Sequence, residues 1–331
     1  MKDLRRYCGR PNKIKYLFVL CSAFAATAVL LGIAFGSVAL DITGIFEGAD
    51  RVIFLYSRLP RVFACFVSGA ALAVSGAVIQ GVLSNRLASP SIIGVNSGAG
   101  LAVTVCAAVG AYGSWQIALF SFVGAFAAVS VIALGAKRWG ASRGTVILAG
   151  VALNSLLNAF SSAIVTLDPD AGVMSNDFKV GDFSAVTYGG LVPACLLIAA
   201  ALAVVFTLSN ELDIMGLGDE NARGLGVNTK RMRPLFLILV ALLAGAAVSL
   251  AGLLSFVGLV VPHAVRMMGG RASKHLLPLS AIVGGGFVTL CDLVSRTAFA
   301  PHEIPVGIIM AFIGAPFFIF LLIGKGGGKN A

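Results

Sequence analysis

Continuous apolar runs of about twenty residues, with charge confined to the short stretches between them, leave this chain few ways to fold. Leu191 to Leu208, for example, contains no charged residue. At a rise of about 1.5 Å per residue, a helix of about 20 residues crosses a hydrocarbon layer about 30 Å thick. The strict alternation of a membrane β-strand is absent, because the runs are apolar at every position. Only 11% of the residues are charged, against about 25% in soluble domains. The 40 glycines suit helices that approach closely in lipid, where small side chains let backbones come together. The pattern predicts an all-α, polytopic integral membrane protein, with residues 1–331 forming a single transmembrane domain embedded in the lipid bilayer.

Ten spans are expected, near 16–38, 59–83, 92–112, 115–136, 144–166, 188–208, 234–254, 255–268, 276–297 and 305–323. The eighth is short and contains Pro262, so a bent or partial helix is expected there. The first run is longer than a signal-peptide core and no clear cleavage site follows, so it reads as an uncleaved span behind a basic cytoplasmic tail, 1–15. With the amino terminus inside, 19 of the 24 lysines and arginines fall on the cytoplasmic side, which favours ten spans and two cytoplasmic termini. The formal charge of +10 is thus accounted for by membrane orientation, and no nucleic-acid partner is expected. Gly69 to Gly76 and Gly245 to Gly252 echo one another in segments of opposite expected direction, the pattern of an inverted internal repeat.

Catalytic motifs are missing. No G-x-x-x-x-G-K-[ST] phosphate loop, H-E-x-x-H or G-x-S-x-G occurs, so an enzyme is not expected. The six cysteines are scattered without C-x-x-C spacing and read as small buried hydrophobes. The histidines at 263, 275 and 302 are too dispersed to hold a metal, and neither a metal nor a cofactor is expected on this chain. Asp292 is the one acid inside a span, and Arg296 lies four residues on, where an ion pair can form along one helix face. The outer loop 168–188 carries four aspartates and is expected to sit in water. In the cytoplasmic loop 209–233, Asp219 and Glu220 suit the first turn of a short helix, with Gly224 or Gly226 as its stop. Such a helix can dock a soluble partner or serve as a solvated connector. Asn154 and Asn158 share a face of the fifth span beside Ser155, where they can line a pathway or hydrogen-bond a neighbouring helix.

Arg58-Leu-Pro-Arg61, Gly69-Ala-Ala-Leu, Ser75-Gly76, Gln80-Gly81, Asn85-Arg-Leu-Ala-Ser-Pro90 and Gly94-Val-Asn-Ser-Gly-Ala99 together resemble the FecCD-type permeases. The likeness continues through Gly218-Asp-Glu-Asn-Ala-Arg-Gly-Leu-Gly-Val227, Phe256-Val-Gly-Leu-Val-Val-Pro-His263, Leu277-Pro-Leu-Ser280, Glu303-Ile-Pro-Val-Gly307 and Ile313-Gly-Ala-Pro-Phe317. That family imports iron siderophores, haem and vitamin B12. Two departures stand out: Asn85-Arg86-Leu87-Ala88 replaces the usual Asn-Pro-Leu-Ala, and Phe178-Lys-Val-Gly181-Asp-Phe183 replaces a Trp followed by Gly-Ser-Leu.

The resemblance implies a vitamin B12 permease-like fold and a second permease copy or paralogue. It also implies a cytoplasmic ABC ATPase dimer that uses the ATP, and an extracytoplasmic substrate-binding protein. By the same resemblance, Arg58, Arg61 and Arg296 dock the binding protein. Gly218, Asp219, Glu220, Ala222, Arg223, Leu225 and Gly226 couple to the ATPase, and Asn154, Ser155 and Asn158 belong to the pathway. The expected protein is the permease subunit of an importer in the bacterial cytoplasmic membrane, carrying a ferric siderophore by alternating access. Haem or cobalamin is the alternative cargo, and a carrier without an ATPase the more distant one.

Overall fold

A computed structural model describes residues 11–36, 49–139 and 142–326. Its described residues are helical apart from short turns and contain no strand. The helices are α1 (Pro11–Ala34), α2 (Ala49–Ile53), α3 (Leu59–Val82), α4 (Val95–Ala108), α5 (Ser114–Trp139), α6 (Arg143–Leu167) and α7 (Pro169–Val180). They continue with α8 (Tyr188–Thr207), α9 (Ser209–Gly216), α10 (Asp219–Gly224), α11 (Thr229–Ala251), α12 (Val257–Met268), α13 (Ser273–Thr297) and α14 (Val306–Gly326). Seven helical stretches are long and apolar enough to cross a membrane, and α4, α12 and the 306–320 part of α14 are shorter apolar helices. Together they occupy the ten expected spans.

Burial orders the bundle. The α3 stretch is 83% buried along its apolar window, whereas that of α6 is 11% buried, so α3 is a core helix and α6 lies on the surface. Helix α3 packs against α11 and α13, α11 against α5 and α8, and α1 against α13. Glycine makes the tightest crossings possible. A Cβ on Gly76 would overlap the Gly258 carbonyl, and one on Gly69 would overlap that of Gly284, so α3 meets α12 and α13 backbone to backbone. Of the cysteines in the described residues, Cys21, Cys65, Cys106 and Cys291 are buried and Cys195 is half-buried, all as free thiols.

Four boundaries differ from expectation. The tail expected over 1–15 is already helical from Pro11, and residues 1–10, 37 and 38 lie outside the described residues. The second span begins early, because α2 and a π-helical turn at Phe54–Arg58 run straight into α3. The loop expected over 209–233 is mostly helix: it holds α9 and α10, and α11 begins at Thr229 rather than after Arg233. Pro234, near which the seventh span is expected to begin, sits inside α11, whose opening turn is capped by Asn228 accepting from the Arg231 N–H at 3.3 Å. The aspartate-rich loop after α6 contains α7, started by Asp168 accepting from the amides of Asp170 and Ala171 with Pro169 in the first turn.

Candidate functional site

Three polar constellations stand out in an otherwise apolar molecule. The first is a cavity of about 320 Å3 lined by Ser91, Asn96, Ser97, Asn154, Asn158 and Ser161, with Gly100, Lys179 and Leu253 completing it. Helix α6 brings in Asn154, Asn158 and Ser161, and α4 brings in Asn96. Asn154 lies about 16 Å along the axis from Arg143, near the middle of the helix. Its amide donates to the carbonyls of Ser91 at 3.0 Å and Ile92 at 3.1 Å, and its Oδ1 accepts from the Ser97 hydroxyl. Asn154 therefore both lines the cavity and clamps the 3-10 turn Pro90–Ile93 that precedes α4. Asn158 lines the cavity one turn further on. Ser155 does not reach it: its hydroxyl donates to the Val151 carbonyl of its own helix at 3.1 Å. Above the asparagines, Thr104 of α4 bonds Ser161 and Ser175 at 2.9 Å each, tying α4, α6 and α7 together.

A second cavity of about 240 Å3 shares Ser91 and Asn96 with the first and adds Ser89, Ser255 and Phe256. Phe256 starts α12 with φ of 65°, a left-handed conformation that is strained for an aromatic residue. Its ring lies where a side chain on Gly314 of α14 would be. Sequence reasoning missed Ser91, Asn96 and Ser255. Their only signal is a polar residue beside an interrupted span.

The second constellation is at the α9–α10 end of the bundle. Asp219, in the first turn of α10, accepts from Arg233 Nη2 through both carboxylate oxygens at 2.7 and 2.6 Å and from Arg143 Nε at 3.1 Å. Arg143, at the start of α6, also donates to the Met215 carbonyl at 2.6 Å and to the Ser84 hydroxyl. Partial burial pushes the Asp219 carboxyl up, but the two guanidinium groups outweigh it and hold it below its ordinary value. Asp213 of α9 accepts from Ser273 N and Oγ at the start of α13. Ala222 is fully buried, and Gly218 and Gly226 adopt φ of 111° and 86° on either side. The residues left exposed include Glu220, Arg223, Leu217 and Leu225, the two leucines at 59% and 60%. A short helix anchored on one side and showing leucine and charge on the other is the form expected of a docking element.

The third constellation lies at the other end. Asp292 is fully buried, accepts from Arg61 Nε at 2.9 Å, and lies 3.2 Å from Arg296 Nε as the expected i,i+4 ion pair. Arg61 also bonds Glu303 at 2.7 Å and lies 3.9 Å from Asp182. Arg58 donates to the carbonyls of Ala34 at 2.9 Å and Ile33 at 3.2 Å, and Arg296 donates to that of Gly32 at 2.6 Å. Arg58 and Arg296 thus satisfy carbonyls at the end of α1 that have no partner within the helix. The three arginines expected to project towards a binding protein are buried at 4%, 7% and 2% exposure and are engaged within the chain. The glutamate and aspartate beside Arg61 are the solvent-facing members of the cluster, at 31% and 38% side-chain exposure.

Residues 24–324 match the FecCD transport family. Over 335 residues, covering 95% of this chain and 97% of its relative, the sequence is 35% identical to the iron-uptake system permease protein FeuB of Bacillus subtilis. It is 36% identical to the hemin transport system permease protein HmuU of Yersinia pestis, covering 82% and 83% of the two chains. It is 38% identical to the cobalamin import system permease protein BtuC of Halobacterium salinarum, covering 82% and 73%. The fold superposes with a TM-score of 0.84 on an inward-facing structure assigned to the metal-chelate type of ABC transporter, at 27% identity over 94% of this chain and 99% of the other.

Proposed function

Because this chain belongs to the FecCD transport family, we propose that it is the permease subunit of an ATP-driven importer, with ferric siderophores as its substrate class. Relatives named for iron uptake, hemin transport and cobalamin import support the importer reading, and FeuB, which matches along nearly the whole chain, favours iron. The observation that carries it is the α9–α10 segment: an exposed Leu217, Glu220, Arg223 and Leu225 surface pinned by Asp219 to α6, the helix that also carries Asn154 and Asn158 of the polar cavity. A soluble ATPase dimer that moves this segment acts on Arg143 and so on α6. The sequence has no phosphate loop of its own, which supports ATP use by a separate subunit.

A second permease copy or paralogue would complete the pathway. Helix α6 leaves Leu148, Leu156 and Phe160 exposed beside Asn158, and an unpartnered amide at membrane depth is costly against lipid. A second subunit, or water held between two subunits, removes that cost. Two subunits that rock about this face open the cavity alternately to each side, in analogy with alternating access in secondary carriers. At the other end, an incoming carboxylate from a binding protein would compete with Glu303 and Asp182 for Arg61, while Arg58 and Arg296 hold the rim in shape by fixing α1. The excess of basic residues beside α6, α10 and the termini favours placing the α9–α10 end in the bacterial cytoplasm.

The test is uptake of radiolabelled ferric siderophore, haem and cobalamin in cells lacking this chain, restored by wild type or by Glu220→Arg. The reading expects loss of ferric siderophore uptake alone, and failure of the charge-reversed variant at normal abundance. Unchanged iron uptake would overturn the substrate, and full activity of Glu220→Arg would overturn the coupling role.

A further inference from the structure

The polar cavity holds a residue that neither the pathway expectation nor the coupling segment uses. Lys179, near the end of α7, is the one charged residue among those lining it. It forms no ion pair or hydrogen bond among the described residues, and neither do the side chains of Asn96 and Asn158 across the same space. Three unpartnered polar groups thus face one cavity beside the middle of a membrane-spanning helix. Polar groups at that depth are retained where they meet water or a ligand.

The backbone that carries Lys179 is fixed from two sides. Leu253 N donates to the Phe178 carbonyl at 2.9 Å and Asp182 N donates to that of Ala251 at 2.8 Å, fastening the segment to the end of α11. Gly307 N donates to the Gly181 carbonyl at 3.4 Å, and a Cβ on Gly307 would overlap the carbonyl of Val180. Gly181 itself has φ of 76°, which lets the chain turn two residues after the lysine. A flexible side chain is therefore presented from a held backbone, in the stretch where the sequence departs from the FecCD pattern.

We propose that this cavity is a binding station for a metal chelate of net negative charge, with Lys179 as the residue that selects for that charge. The inference rests on the importer reading. The ammonium supplies the attraction, and the amides of Asn96 and Asn158 supply hydrogen-bond donors to carboxylate or phenolate oxygens at the chelate's edge. No carboxylate lines the cavity to oppose an anion; Asp177 and Asp182 line a separate cleft with Trp115 and Phe178. At about 320 Å3 the space is at the lower end of small-molecule sites, so it holds the charged rim of a chelate rather than a whole macrocycle.

The experiment uses cells lacking the chain, complemented with wild type, Lys179→Met, Lys179→Arg or Lys179→Glu, at abundances matched by immunoblot. The probes are radiolabelled ferric citrate, which is negatively charged, ferrichrome, which is uncharged, and ferrioxamine B, which is positively charged. Loss of one charge-assisted hydrogen bond corresponds to roughly a tenfold effect. The expected result is that Lys179→Met lowers ferric citrate uptake about tenfold relative to ferrichrome. Lys179→Arg should restore it, and Lys179→Glu should shift preference towards the cationic chelate. Equal effects on all three probes, no effect on any, or a wild type that carries only the uncharged or cationic chelate overturns the proposal while the importer reading stands. A wild type that restores uptake of no chelate overturns that reading and this inference with it.

Discussion

Asp219 shows how much a single carboxylate can organise. It joins α10 to α6 through Arg143 and to α11 through Arg233, so its loss releases the α9–α10 segment from two helices at once. Asp219→Asn is expected to cost about 1–2 kcal/mol, discounted from a fully buried pair because the carboxylate is 28% exposed. Its pKa is held below the ordinary value, so the stabilisation is complete above the unfolded carboxylate pKa, about 4. It fades as the pH falls through the lower folded value. Apparent melting temperatures in detergent should therefore separate variant and wild type at pH 7 and converge in acid; equal separation at both would refute the ion-pair account. Arg61→Ala is expected to cost more, about 3–5 kcal/mol, because it strips a partner from the fully buried Asp292, and thermal unfolding will read it. The sequence makes Asp219 legible as a first-turn acid and Asp292–Arg296 legible as an i,i+4 pair. It does not reveal Arg143, 76 residues from Asp219, or the carbonyls of α1 that occupy Arg58, because residues far apart in the chain set those contacts.

At the level of whole helices, hydropathy runs long enough to cross a bilayer were legible because lipid demands them, and Pro262 correctly marked α12 as a partial helix. Helix α7 was obscured by four aspartates, although Asp168 before Pro169 is a start signal that the structure uses. The crossing of α3 with its neighbours depends on missing side chains. Gly76→Ala and Gly69→Ala are each expected to destabilise by about 1–3 kcal/mol, since backbone carbonyls rather than flexible side chains stand in the way. Gly190→Ala in α8 has open space and should change stability by no more than about 0.5 kcal/mol. Melting temperatures and purification yields of the three variants will separate close packing from a general preference for alanine in helices.

Across the whole molecule, the buried α3 and the exposed α6 divide the bundle into a core and an open face, the face that the proposed second subunit would cover. The proposed orientation puts Glu220 in the cytoplasm and Asp170 outside. In intact cells an impermeant thiol reagent is expected to label Asp170→Cys above the wild-type background and Glu220→Cys only after lysis; the reverse order would invert the topology. The sequence conveyed this division weakly, because lipid-facing and subunit-facing helices are equally apolar and differ only in a few residues such as Asn158. The arginine cluster has a consequence of its own. Arg61 and Arg296 face Asp182, Asp292 and Glu303 at one rim, and Arg58 holds the end of α1 beside them. A carboxylate arriving at Arg61 must evict one already there, so docking becomes ligand exchange with little net change in paired charge, and its affinity should vary only shallowly with ionic strength.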